Sequence, residues 1–263
     1  MTEDMIIEGM SKEIKEKSLQ HRALLKADVF QQMGEYWDVT DQRREFDTPP
    51  IQKDFIGELI KLPDINPDLL TKKDVYECIN NRRSRRNFTD QKITLDELSF
   101  LLWATQGVQR TFQDGKITIR TTPSGGARHP FETYLAVFNV HGLNQGVYRY
   151  LPLEHAITFL FNEDDLANKV IAAAARQDFA GETGVTFIWA AIPYRTEWRY
   201  GFASAKTILL DCGHICQNLY IACEALKLGT CAIAAYDQKK IDELLKLDGE
   251  DEFAVYLAPV GRY

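Results

Sequence analysis

Residues 204–228 constrain the fold more than any other stretch of this chain. Ile208, Cys212, Ile215, Leu219, Ala222 and Leu226 recur at the three- and four-residue spacing of one helical stripe. The remaining faces still carry Leu209, Cys216, Ile221 and Cys223, and Gly229 stands where such a helix should stop. A helix apolar on nearly every face is predicted to be buried at the centre of something. Around it the pattern changes to short apolar runs. Residues 133–140 (TYLAVFNV) and 146–150 read as strands joined through Gly142 and Gly146, with 185–191, 230–236 and 253–260 as further strands. Residues 164–176 and 238–247 read as helices. Hairpin-like and crossover segments together predict an α+β fold, with helices packed around one sheet.

The first quarter obeys a different grammar. Residues 11–33 read as a helix with Ile14, Leu19, Ala23, Leu24, Ala27 and Phe30 set among many charges. Residues 34–68 hold Pro49, Pro50, Pro63 and Pro67 and no sustained period, which predicts an irregular, largely extended arm. Its Tyr36, Trp37, Phe46, Phe55 and Ile56 are too apolar for a free linker, so the arm is expected to lie against something. Two capping patterns follow, Thr71 with Asp74 and Thr94 with Glu97. They open amphipathic runs through Val75, Cys78 and Ile79 and through Leu98, Leu101 and Leu102, the second stopping at Gly107. The expected division is an acidic extension over 1–70 and a single domain over 71–263.

Charge supports that division. The formal net charge is −7, but residues 1–70 carry 9 Lys and Arg against 15 Asp and Glu, while the rest is nearly balanced at 22 against 23. A chain that is not basic is a poor candidate for nucleic acid. No apolar run reaches the ~20 residues of a membrane span, and the opening residues lack the basic-then-apolar layout of a secretory signal. Five cysteines do not suggest a disulfide framework. A reducing cytoplasm is the expected home.

Three segments could carry chemistry. Arg82, Arg83, Ser84, Arg85 and Arg86 set four guanidiniums in five residues, which repel one another unless solvent or an anion separates them. Arginine forks match phosphate oxygens; a solvated basic patch is the plainer alternative. Residues 122–130 (TPSGGARHP) form a small-residue loop whose backbone could approach a ligand closely, or simply a turn. Residues 229–237 (GTCAIAAYD) leave the long helix as small side chains over which a flat ring could lie, or as a tightly packed strand. Arg262 adds one more guanidinium. Cys212, His214 and Cys216 resemble a metal spacing, but on a helix His214 points away from the two cysteines, and no metal site is expected.

In this order, six segments resemble the nitroreductase superfamily of flavin enzymes, and more closely its SagB-type, azoline-oxidase-like branch. They are RRSRRNF at 82–88, LLWATQG at 101–107, TTPSGGARHPFETY at 121–134, GVYRYLPLEH at 146–155, the run from Asp211 through Gln217 and Asn218 to Gly229, and PVGR at 259–262. The resemblance implies a central, mostly antiparallel sheet flanked by helices, and a homodimer with FMN at the subunit interface. It implies that Arg82, Arg83, Ser84 and Arg86 hold the ribityl phosphate together with Arg262. Pro123, Ser124 and Gly125 would reach the flavin from the partner subunit, His129 would replace a contact of relatives, and Ala234 and Ala235 would lie beneath the ring. NADH or NADPH is the implied donor and a small conjugated molecule the acceptor, with peptide or natural-product tailoring, or a non-catalytic place in a modifying complex, as alternatives. Azoline oxidases of this branch carry a Lys-Tyr pair where this chain has Arg199 and Tyr200. A guanidinium stays protonated and is a poor base, so that departure argues against simple azoline oxidation.

Overall fold

The computed structural model describes residues 12–113 and 115–263. Its strands are β1 (Leu59–Lys61), β2 (Val108–Phe112), β3 (Ile117–Arg120), β4 (Phe131–Val137), β5 (Gly146–Leu151), β6 (Ala156–Phe161), β7 (Val185–Ala191), β8 (Gly229–Thr230) and β9 (Phe253–Gly261). β2 and β3 form a separate hairpin. The other seven form one sheet, ordered β1-β6-β5-β4-β7-β9-β8, with every ladder antiparallel. The α+β reading with one mostly antiparallel sheet therefore holds.

Strand alternation assigns each face a layer of helices. Phe131, Leu135 and Val137 of β4, with Phe187 and Trp189 of β7, join the core under α4 (Leu95–Gln106) and α7 (Ser204–Ala225). Tyr134, Ala136, Ile188 and Ala190 point the other way, toward α5 (Leu166–Ala173) and α8 (Gln238–Leu245). The stripe Ile208, Cys212, Ile215, Leu219, Ala222 and Leu226 of α7 is buried as expected. Burial all round is not found. Ala205, Leu209, Gly213 and Gln217, four residues apart, form an exposed strip, and Leu209 and Leu210 are 57% and 55% exposed. The sheet and α4 cover only the opposite side.

Several boundaries differ from the sequence reading. Of the helix expected over 11–33, Ser11 lies outside the described residues and the rest breaks in two. α1 (Lys12–Arg22) runs into a 3-10 turn at Ala23–Leu25, Lys26 is extended, and α2 (Asp28–Gly34) follows. The break lets Met33 bury against Gly201, where an added Cβ would lie 2.7 Å from its sulfur. The Leu25 carbonyl accepts from Lys206 Nζ at 2.8 Å. The irregular arm supplies β1, an edge strand on β6. Thr94 and Glu97 form the full capping box on α4. Thr71 does not cap α3 (Val75–Asn81): its hydroxyl donates to the Ala225 carbonyl at 2.9 Å, and Asp74 is the cap. The strand expected over 230–236 keeps only Thr230 in the ladder, with Ile233 bridging to Leu257. The hairpin β2–β3, strand β6 and α6 (Tyr194–Tyr200) were not expected.

Candidate active site

The arginine segment leaves α3 and runs beside β8. Ser84 bridges Thr230 in parallel register, and the Arg85 N–H donates to the Thr230 carbonyl at 2.9 Å. Gly229 makes this approach possible, since a Cβ there would lie 2.7 Å from Arg85 Cβ. Tyr220 of α7 ties the segment to the next one: its hydroxyl accepts from Ala232 N–H at 2.8 Å and lies 3.2 Å from Ser84 Oγ. The guanidiniums rest on aromatic rings, Arg82 over Tyr220, Arg85 over Tyr263 and Arg86 over Phe179. Arg83 turns back onto the carbonyls of Asn80 and Arg82. Among the described residues none of the four has a carboxylate partner, and Arg85 Nε is buried without any. Ser84, Arg85, Arg86, Asn87 and Tyr263 line a cavity of about 400 Å³. Ala234 and Ala235 are exposed nearby, and the Ala235 carbonyl is held by Gln177, two residues before Phe179. Arg262 is placed differently. Its Nη2 donates to both oxygens of Glu97, at 2.7 and 2.9 Å.

The loop at 122–130 is held by α7. Buried Asp211 accepts from Ser124 Oγ at 2.5 Å and from the Gly125 N–H at 3.1 Å. Burial raises the Asp211 carboxyl above its ordinary range despite both donors. Thr207 fills the space a Gly125 side chain would need. Gly126, Ala127 and His129 all have positive φ, a conformation costly for the two non-glycines. The His129 ring points inward, its Nε2 3.1 Å from the Thr118 carbonyl, while its backbone N–H donates to Ser124 Oγ at 2.9 Å. Burial, with Arg120 nearby, pushes the imidazole down to about 3, so it stays neutral.

Arg199 and Tyr200 end α6 and press on the same loop. A Cβ on Gly126 would lie 2.7 Å from the Tyr200 hydroxyl and 2.9 Å from Arg199 Cδ. The arm packs behind them: Trp37 stands 6.5 Å from Tyr200, ring to ring, and Trp198 Nε1 donates to the Phe46 carbonyl.

The expected residues thus gather in two places. Arg82, Ser84, Arg86, Ala234 and Ala235 gather at one end of α7, and Ser124, Gly125, Arg199 and Tyr200 at the other. Pro123 enters the second loop, His129 serves it through its backbone, and Arg83 and Arg262 bind within the chain. Tyr220, Asp211, Thr207 and Trp37 touch these two groups and were not singled out in the sequence. Only Asp211 left a signal, as an acid on the buried face of an apolar helix. Cys212 and Cys216 are buried while His214 is exposed. Among the described residues no group of His, Cys, Asp and Glu could hold a metal, and no helix is long and apolar enough to cross a membrane.

The fold is one already known. The sequence pattern of the Nitroreductase family matches residues 79–262. A protein of Methanocaldococcus jannaschii named as a nitroreductase is 36% identical over 203 residues, 77% of this chain and 96% of the relative. The trifolitoxin-processing protein of Rhizobium leguminosarum bv. trifolii is 26% identical over 183 residues, and the match spans 65% of this chain and 48% of that one. Among solved structures, a nitroreductase-named protein of Ralstonia eutropha superposes with a TM-score of 0.64 at 24% identity, covering 82% of this chain and 95% of that one. A chain of the Escherichia coli microcin synthetase complex superposes with a TM-score of 0.58 at 18% identity, covering 90% and 94%. The chain is an oxidoreductase that belongs to the nitroreductase family.

Proposed function

We propose that the chain acts as a homodimeric, FMN-dependent oxidoreductase. It passes hydride between a nicotinamide donor, NADH or NADPH, and a small conjugated acceptor, the two visiting one pocket in turn. One observation carries this reading: the two groups stand at opposite ends of the uncovered face of α7. Tyr220 and Asp211 are nine residues apart, roughly 13–14 Å along the axis at 1.5 Å per residue, with Gly213 and Gln217 open between them. A second copy laid on that face about a two-fold axis would set the loop of each chain beside the arginines of the other. It would also cover Leu209 and Leu210.

The residues fit FMN. Arg82, Arg86 and the partnerless Arg85 Nε offer charged donors to a phosphate, and Ser84 a hydroxyl to the ribityl chain. Arg83 contributes charge beside them, and Arg262 from its pair with Glu97. Ala234 and Ala235 leave room for a flat ring, and Pro123, Ser124 and Gly125 approach it from the partner. FMN, when bound, supplies a ring that accepts or gives a hydride at N5. Tyr200 can hold a proton at its hydroxyl, and Arg199 orients that phenol. All five cysteines are free and buried, which suits a reducing cytoplasm.

The test is the visible spectrum of the purified protein before and after anaerobic NADH or NADPH. A yellow protein bleached by either donor is expected; one that stays colourless after added FMN overturns the reading. A second reading is dehydrogenation of a peptide or other natural product. It is favoured by the likeness to the trifolitoxin-processing protein and by the 90% coverage against the microcin synthetase chain. Bound FMN that neither nicotinamide bleaches would select it.

A further inference from the structure

We propose that the arm, the loop at 122–130 and α6 form the acceptor side of the site, and that this side takes a planar molecule carrying a carboxylate. The inference rests on the oxidoreductase reading and names its substrate class. Two guanidiniums meet on one glycine. Arg128 is 5% exposed, and its Nε donates to the Gly126 carbonyl at 3.0 Å. Arg199 packs on the other side of Gly126, and its Nε is buried with no partner. A third, Arg43, lies on the arm.

Among the described residues no carboxylate comes within the 4.0 Å of an ion pair with any of these three. Three acids on neighbouring elements face other groups. Asp41 binds Tyr194 and Arg44, and Asp211 binds Ser124 and Gly125. Glu197 lines a separate cavity with Glu250 and Asp251. Arg128 and Arg199, which meet at Gly126, repel unless an anion lies between them.

Aromatic rings alternate with the cations. Arg43 stands 5.8 Å over Trp37, Trp37 6.5 Å from Tyr200, Arg199 5.5 Å over Tyr200, and Arg128 5.2 Å over Trp198. Each guanidinium rests its face on a ring, and Arg199 keeps its Nε without a partner. A neutral ring would match only the aromatics, and an inorganic anion only the charges; a ring bearing a carboxylate matches both. The arm is a fixed part of this wall. Met33 is buried against Gly201, the Gln42 N–H donates to the Trp198 carbonyl at 2.8 Å, and Trp198 donates to Phe46.

The experiment compares 4-nitrobenzoate with 4-nitrobenzamide, the same ring without the charge, on the FMN-loaded enzyme at saturating donor. The expected preference in kcat/KM for the benzoate is about tenfold, or ~1.4 kcal/mol. It should fall to near unity in Arg199→Gln and Arg128→Gln with FMN content unchanged, and shrink as salt rises. Trp37→Ala should lower kcat/KM for both acceptors alike, and Trp37→Phe should restore most of it. If buried Arg128→Gln fails to fold, half-exposed Arg199→Gln decides. Equal rates on the two acceptors in the unmodified enzyme overturn the proposal. So does a preference that survives Arg199→Gln, or loss of FMN in that variant, which would assign the guanidiniums to the cofactor. Quenching of tryptophan fluorescence gives the affinity for each compound without turnover. A preference in binding with no bleaching by a nicotinamide would keep this proposal and remove the donor half of the functional reading.

Discussion

Two arginine clusters organise the charge of this molecule, and they are opposites. Arg82, Arg83, Arg85 and Arg86 are crowded in sequence, exposed or half-buried, and without carboxylate partners among the described residues. Arg120, Arg149 and Arg195 are scattered in sequence and at most 4% exposed, and they gather about one buried carboxylate. Glu132 Oε1 accepts from Arg195 at 2.5 Å and from the Lys53 N–H at 3.0 Å, and Oε2 lies 3.8 Å from Arg149 Nε. Backbone carbonyls of the arm complete the set, Ile51 for Arg120 and Asp54 for Arg149. Burial, and then the charge of Arg195, pushes the Arg120 guanidinium down to about 10. The buried cluster finds its counter-charge within the chain and pins the arm to the sheet. The surface cluster has no counter-charge among the described residues. What a group of charges does is read from its partners, not from its density.

The contrast is tested most severely at Glu132. Glu132→Gln leaves buried guanidiniums without their counter-charge and is expected to cost about 3–5 kcal/mol, measured by urea unfolding, while FMN affinity of the folded fraction stays the same. Next comes His129, buried beside Arg120. Its folded value of about 3 lies below the ordinary 6.5, so the unfolded chain binds the extra proton first. The contribution to stability is complete above about pH 6.5 and is lost as pH falls toward 3. Between pH 7 and 4 the native protein should lose on the order of 3 kcal/mol more than His129→Gln, at ~1.4 kcal/mol per unit; equal slopes would remove His129 from the buried electrostatics. The surface cluster should behave in reverse. Arg82→Ala and Arg86→Ala should each weaken FMN binding by about 1.5–3 kcal/mol, seen by flavin fluorescence titration, with stability changed by less than about 0.5 kcal/mol.

The same contrast explains what could be read in advance. RRSRR, the glycine loop, the stripe of α7 and the Thr94–Glu97 box are local patterns, and each marks its element without help from the rest of the chain. The Glu132 cluster is assembled from β3, β4, β5, α6 and the arm, so no window of sequence contains it. Tyr220 has no pattern either; its role comes from Ser84 and Ala232 arriving beside it. Thr71 and Thr94 begin the same motif, yet only one caps, because Ala225 offers Thr71 a carbonyl that local spacing cannot foresee. The break after Arg22 likewise answers a tertiary contact, Met33 on Gly201. Burial of α7 on every face was expected because the pattern reports apolarity, not which sides the rest of the chain covers.

Arg262 stands between the two clusters and gives the smallest and sharpest test. Like the buried set it has a carboxylate, Glu97; like the surface set it remains partly open, with 25% of its side chain exposed. Glu97 also accepts from the Thr94 N–H at 2.9 Å to complete the capping box on α4. Glu97→Gln keeps an oxygen for that N–H but removes the charge that holds the guanidinium. A partly exposed pair is worth about 1 kcal/mol or less, so unfolding should shift by no more than that. If Arg262 serves the phosphate, freeing it should tighten FMN about threefold, ~0.7 kcal/mol, and Arg262→Gln should abolish the gain. An unchanged affinity with the same small loss of stability would move Arg262 into the structural class, leaving the segment from Arg82 to Arg86 as the whole of the proposed phosphate site.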